Sequence, residues 1–545
     1  MTKSRNQHLH LTAGAVRVPE TQNLSSVKLW CEYAIWGLLF YDDQSPWLTV
    51  VEALQICFHR KSEGETIFTA ASPAASGEHE AITYRLRLNN ELRHMLFRDR
   101  EVIRIASGQS VDDNARWQAW LDTVSRDYAG LELGFLQNEF DTFGEMAKSV
   151  ELLRTAEIEA QSAKRWTSRH ILPLGPDMLF ADVNDQDKLD RKFMRRTGEM
   201  LYLMLNRSAL RDELGKLVQE RLLDASSPWN RLARRLGGAN TASVSDVHIG
   251  YLPMPSSSVY NRVAEDWLAL LTLQNIPVEN LLDPLERVSG LMQILYVLER
   301  AQDIIGDDVA VPPFFLDVLG APGNNPIRKL SANQFKRHRS MPVEAIGAFI
   351  DAFASSVEWQ AVLQSAAGGK EAMDLIAARF LWKPSRSPNP DWTPEPEEQL
   401  TELRMQAQHS KGHSITSTFS NHAKHIGMLR AQRSSGTWYA PSDAFLEALV
   451  LANVTTPMEF GDFLNRLMTR YRIVIGPEEV RAAFNVKSSA LPAPLADLKE
   501  NERRLEDRLR VLGFLDRKSD DCAFVINPFH DPKMANYGAA QLVNA

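Results

Sequence analysis

Cysteine is scarce: only Cys31, Cys57 and Cys522 occur in 545 residues. Thiols so scattered exclude a disulfide scaffold and a paired-thiolate zinc framework, and they fit a reducing cytoplasm. Long apolar runs are missing too. The most apolar early stretch, YAIWGLLFY from Tyr33 to Tyr41, is bounded by Glu32 and Asp42–Asp43. It is too short to cross a bilayer and reads as a buried helix. The amino-terminal MTKSRNQHLHLTAGAV lacks the apolar core of a secretion signal, so a cytoplasmic protein without a membrane partner is expected.

Catalytic signatures are absent as well. There is no GxGxxG, GxSxG, HExxH or paired CxxC. Gly368-Gly369-Lys370 fails as a phosphate loop, because Gln364 stands where the first glycine belongs and Glu371 where a magnesium-binding hydroxyl belongs. The acidic run ADVNDQDKLD offers Asp182, Asp185, Asp187 and Asp190 as nuclease ligands, but a helix start or turn is the expected role. No cofactor, metal or catalytic residue is expected.

What is present is mostly helical periodicity. Phe193, Leu201, Met204, Leu205, Leu210, Leu214 and Leu217 recur three and four apart, and Gln293–Gln302 and Val343–Phe353 repeat the pattern. Strand signals are sparse, and Glu80–Arg87 and Arg472–Ile475 are the better ones. The twelve tryptophans are spread at helical spacing and are expected to fill cores. A chain of this length exceeds one hydrophobic core. Five prolines in KPSRSPNPDWTPEPEE (Lys383–Glu398) forbid a helix and mark a semi-rigid spacer. Weaker breaks fall at Val311–Pro326 and Pro253–Ser258. The expected units are a mainly helical 1–160 with minor β, a helical 161–382, a Pro-rich then basic, His-rich linker 383–440, a winged helix 441–530 and a tail 531–545.

The carboxyl-terminal hundred residues carry the most specific pattern. Met458–Tyr471 reads as an amphipathic helix, GPEEVRAAF as a short one, and a longer helix capped by Asp497 runs to Gly513. Two short apolar runs, Phe514–Arg517 and Cys522–Asn527, follow around a polar turn. Helix, short helix, long helix and hairpin is the order of a winged helix-turn-helix, with the long helix as recognition element. The expected fold class is thus mainly α, a multi-domain helical body with a carboxyl-terminal winged helix. On the long helix, Lys499, Arg503, Arg504, Arg508 and Arg510 are nearly balanced by Glu500, Glu502, Glu506 and Asp507. Pairs such as Glu500–Arg504 and Glu506–Arg510 are spaced to neutralise each other. Protein contact is therefore as natural a use of it as DNA reading.

Acidic residues are also missing where cations gather. Between Glu402 and Asp443 stand Arg404, Lys411, Lys424, Arg430 and Arg433 with His409, His413, His422 and His425. Between Val318 and Val343 stand Arg328, Lys329, Lys336, Arg337, His338 and Arg339, with Phe335 available for stacking. Segments without repelling carboxylates suit phosphate contacts. The histidines lack a thiolate or carboxylate to complete a zinc site, so a metal role is the lesser reading. A formal net charge of −8 excludes a protein that coats nucleic acid over its whole surface. Contact must be local, and the residues expected to make it are Arg328, Lys329, Lys336, Arg337, Arg339, Lys411, Lys424, Arg430, Arg433, Arg503, Arg508 and Arg510.

Two runs, RRTGEMLYLMLNRS (Arg195–Ser208) and LGFLDRKSDDCAFVINPF (Leu512–Phe529), resemble accessory proteins of bacterial antiphage islands of the Druantia kind, encoded beside helicase or ATPase partners. The resemblance implies a cytoplasmic defence component working with other subunits and brings no catalytic residues. The leading expectation is a non-enzymatic DNA-associating or scaffolding subunit of such a complex. The alternatives are a metal-dependent nuclease with ligands drawn from distant positions, and a transcriptional regulator.

Overall fold

A computed structural model of the chain describes residues 14–19, 26–37, 44–69, 77–98, 100–106, 108, 112–128, 130–158, 169–181, 196–238, 243, 246–306, 311–320, 325–385, 393–408, 415–433, 436–484, 492–519 and 522–530. The protein is mainly helical with a few short strands. Among the described residues, no helix is long and apolar enough to cross a membrane. Asp182, Asp185, Asp187, Asp190, His409, Lys411, His413, the middle of the Pro-rich segment and the tail lie outside the described residues.

Helices α1 (Val27–Trp36), α2 (Pro46–Ser62), α3 (Thr197–Asn206), α4 (Ser258–Leu271), α5 (Val278–Ile305) and α6 (Pro326–Ala354) build the body. Helix α5 is its spine. It is apolar nearly all round, from Leu281 to Ala301, so it can only be stable when other helices surround it. Helices α2, α4 and α6 pack against it. The indole N–H of Trp36 donates to the Val297 carbonyl (3.0 Å), and the Tyr296 hydroxyl donates to the Trp36 carbonyl (2.9 Å), fixing α1 on α5. Trp30 meets Phe349 and Phe380. One buried apolar cluster runs from Val27 to Val525 and crosses the expected boundaries at 160/161, 382/383 and 440/441.

Within the run RRTGEMLYLMLNRS, Thr197–Asn206 forms α3, every residue of which is buried. It lies so close to α2 that a Cβ on Gly198 would fall 2.5 Å from the Glu52 Cβ. Burying it also buries charge, and each charge is matched. The Arg207 guanidinium forks onto Glu80 (2.8 and 2.7 Å) and donates to the carbonyls of Leu252 and Met254. Arg196, at φ 72, grips Glu199 with two hydrogen bonds, and the Tyr84 hydroxyl donates to the same carboxylate at 2.6 Å.

The strand expected over Glu80–Arg87 shrinks to β1 (Thr83–Tyr84), paired with β2 (Val247–His248), plus a bridge from Arg87 to Ser243. Flanking side chains are tied into helices instead, Glu80 to Arg207 above all. Strand β3 (Phe314–Phe315) precedes α6. The part of the expected linker that is described folds as a helix from Pro396 to Gln408, then helix α7 (Ile415–His425) and the hairpin β4 (Leu429–Gln432) and β5 (Gly436–Tyr439). The first of these begins inside the Pro-rich segment expected to exclude a helix, because proline is tolerated in a helix's first turn. Both α7 and β5 pack on α6, with Tyr439 edge-on to Phe335.

The carboxyl-terminal region continues as α8 (Asp443–Asn453), β6 (Met458–Glu459), α9 (Phe460–Tyr471), β7 (Ile473–Val474), α10 (Pro477–Phe484), α11 (Leu495–Val511), β8 (Leu515–Ser519) and β9 (Cys522–Val525). The helix expected from Met458 therefore begins two residues later, because Met458 and Glu459 pair with Val525 and Phe524. The three strands order β6–β9–β8, all antiparallel. Strand β7 pairs in parallel with β3, which joins this region to the body. Asn501 of α11, fully buried, donates to the carbonyls of Leu316 (2.9 Å) and Ile475 (3.0 Å) and accepts from the Val318 N–H (2.8 Å). Asp497 does not cap α11; the helix starts at Leu495 after Pro494, and Gly513 (φ 82) lies just beyond its end.

Among the described residues, burial holds three histidines well below the ordinary imidazole value. Burial pulls His79 and His338 down to about 4 and His170 to about 3. Each binds fewer protons folded than unfolded, so their share of stability is present above pH 6.5 and is lost as pH falls toward 4. Thermal unfolding followed against pH should show that decline; a flat profile across the window would contradict the burial of these rings.

Candidate nucleic-acid interface

Of the twelve cations singled out in the sequence, Lys411 lies outside the described residues and the other eleven divide into two groups by what lies next to them. Arg328, in the first turn of α6, is only 6% exposed; its Nε donates to Asp317 (3.2 Å) and its guanidinium lies 4.4 Å over the Trp438 ring. Arg337 pairs with Glu344. Arg508 bonds Asp443 and the Pro441 carbonyl, linking α11 to the start of α8. Arg503 pairs with Glu500 and Asp507, and Arg510 with Asp507. Glu500 also takes Arg504, as its spacing predicts, whereas Glu506 turns to Arg517 rather than Arg510. The solvent face of α11 is thus a ladder of opposite charges.

The second group is different. Lys329, Lys336 and Arg339 on α6, Lys424 at the end of α7, and Arg430 and Arg433 on and just after β4 are exposed. None has a carboxylate within ion-pair distance among the described residues. Lys329, Lys336 and Arg339 are spaced seven and three apart, which places them within an arc of about 80° on the helix. Phe335, expected to stack on a base, instead lies inside between Phe419 and Tyr439. His338 is likewise enclosed, held by the Tyr439 hydroxyl (2.7 Å) and the Pro312 carbonyl (2.9 Å). His422 is buried as well. Among the described residues, no group of three or more His, Cys, Asp or Glu side chains is placed to share a metal ion.

Three of the predicted cations meet at one cavity of about 590 Å³. Arg328 comes from α6, Arg430 from β4 and Arg508 from α11, with Asp317, Trp438 and the Ser442–Asp443 start of α8 completing the wall. Ser442 caps α8 by accepting from the Phe445 N–H (3.2 Å). Burial holds the Asp317 carboxyl above its ordinary value despite Arg328 beside it. The part played by Trp438, Asp317 and Asp443 was missed in the sequence. The pair Ser442-Asp443 ahead of FLEALVLA is a cap signature that could have marked a helix start there; nothing in the linear order brings Asp317 near it.

An acidic counterpart lies on the other side of α11. Glu502 faces Glu479, Glu478 and Glu506, and burial with that repulsion lifts it to about 7. Its penalty is absent below the ordinary value of 4.5, grows as pH rises, and is complete above 7. Replacing Glu502 with Gln should raise stability at pH 8 by about 1–2 kcal/mol, discounted for partial exposure, and leave it unchanged at pH 4. Chemical denaturation at the two pH values checks this; equal effects at both would contradict it.

Comparison with protein-family models, with curated proteins and with solved structures finds no match to the chain.

Proposed function

We propose that this chain is a non-enzymatic scaffolding subunit that holds DNA by its phosphate backbone. The contact surface consists of Lys329, Lys336, Arg339, Lys424, Arg430 and Arg433, and residues 443–525 act as a winged helix-turn-helix whose wing is β8–β9. The observation that carries the reading is the absence, among the described residues, of carboxylate partners for these six cations, on elements packed against one another. A chain with a net charge of −8 has carboxylates to spare, and free cations on such a body form a local site for an anionic polymer.

The order and pairing of β6, α9, α10, α11, β8 and β9 support the winged-helix reading. Helix α11 is not the base reader in this account. Its arginines are occupied by neighbouring carboxylates, and a balanced, exposed face of that kind suits a protein partner such as a helicase or ATPase subunit. The antiphage setting rests on the resemblance of 195–208 and 512–529 alone.

Backbone contact predicts indifference to sequence. Fluorescence anisotropy on two unrelated duplexes of equal length should give affinities within about threefold of each other. Strong preference for one short operator would favour a transcriptional regulator, and magnesium-dependent cleavage by the purified chain would favour a nuclease.

A further inference from the structure

The cavity bounded by α6, β4, α8 and α11 contains donors that have no partner among the described residues. Arg328 is committed to Asp317 and the Trp438 ring, and Arg508 to Asp443 and Pro441. Arg430, in the same wall, has no carboxylate partner among the described residues. The indole N–H of Trp438 is buried in a side chain 2% exposed and finds no acceptor. An unsatisfied buried donor costs about 1–3 kcal/mol, and because Trp438 lines the cavity, an acceptor supplied from outside would offset that cost. The α8 amino terminus adds to this. Its first-turn N–H groups at Asp443 and Ala444 have no partner within the helix, and the helix dipole is positive there.

The acceptors in the wall are already engaged. Asp317 takes Arg328 Nε and the Leu319 N–H, and Asp443 takes Arg508. Three arginines against two aspartates leave one positive charge. A ligand that fits must therefore be anionic and rich in acceptors, with little need of donors of its own. Phosphate meets that description, and Arg430 can approach it in the forked geometry that guanidinium prefers. The volume of about 590 Å³ exceeds what a phosphate group needs and falls within the roughly 300–1,000 Å³ of small-molecule sites.

We infer that this cavity binds a phosphate monoester carrying a nucleoside-sized group, either a free mononucleotide or the phosphorylated end of a DNA strand. It shares Arg430 with the surface proposed above and otherwise stands on its own residues.

Calorimetric titration of the full chain with inorganic phosphate and with adenosine monophosphate tests it. Both should bind, and Arg430→Ala should weaken both by about tenfold or more. Trp438→Phe keeps the ring and removes the N–H, and should weaken both as well. Because Arg430 is exposed on an edge hairpin, its variant remains informative if the tryptophan variant fails to fold. Absence of binding by both ligands, or unchanged binding in Arg430→Ala, overturns the inference. A 5′-phosphorylated duplex preferred over its 5′-hydroxyl twin, with the preference lost in Arg430→Ala, assigns the phosphate to a DNA end. Equal binding of the twins beside tight mononucleotide binding assigns it to a free ester. The Lys329→Ala, Lys336→Ala, Arg339→Ala variant separates this site from the DNA surface: it should keep mononucleotide binding while duplex affinity falls. Mononucleotide binding without any duplex binding would retire the DNA reading and leave the cavity standing.

Discussion

Replacing Arg207 with methionine is expected to lower the unfolding free energy by about 3–5 kcal/mol, enough to unfold a marginal protein at 37 °C. The residue is buried with Glu80 beside it, and its guanidinium also satisfies two backbone carbonyls. Methionine fills similar space but leaves a carboxylate, held below its ordinary value chiefly by its bond to Arg207 against opposing burial, without its counter-charge. The penalty is that stranded charge rather than the worth of the pair. A second substitution, Glu80→Gln, should therefore recover part of the loss in the double variant. Denaturant titration of the four proteins reads the coupling. A loss below about 1 kcal/mol for Arg207→Met would show that water reaches the site and that α3 is less enclosed than described.

The second large effect concerns DNA. Changing Lys329, Lys336, Arg339, Lys424, Arg430 and Arg433 together to alanine should reduce duplex affinity by two or more orders of magnitude at moderate salt, roughly the effect of losing several phosphate contacts. Changing Arg503 and Arg510 should do little to binding, because each already spends its charge on Glu500 or Asp507. It should instead weaken capture of a protein partner if α11 is the partner face. The reverse ranking, with the α11 pair dominant, would return α11 to the role of recognition helix.

Much of the helical architecture was legible in the sequence. Apolar spacing located parts of α5 and α6, Gly513 marked the region where α11 ends, and the RIVI run held β7. The hairpin β4–β5 was not legible, since LRAQ exposes three of its four residues and carries no strand alternation. The buried stripe of α6 was only partly so. It includes Arg328, Ser331 and His338, polar residues made tolerable by Asp317 and Tyr439, partners that no periodicity names.

The acid-free intervals misled in an instructive way. The carboxylates that neutralise Arg328, Arg337 and Arg508 belong to Asp317, Glu344 and Asp443, each at or one residue beyond the edge of an interval. Absence of acid along the chain is not absence in space, because two turns of α6 bring residue 344 to 337 and Arg328, in the first turn of α6, reaches back to Asp317 just after β3. What survives is the subset with no carboxylate within ion-pair distance among the described residues. That subset was not separable from the rest by counting charge.

The salt dependence of duplex affinity bears most directly on the claim that those side chains form a phosphate-binding surface. Plotting log affinity against log salt concentration for the native chain and for the six-alanine variant should give a steep negative slope for the first, flattened by up to about 5 in the second, near 0.9 for each cation that meets a phosphate. Equal slopes for the two proteins would contradict the account.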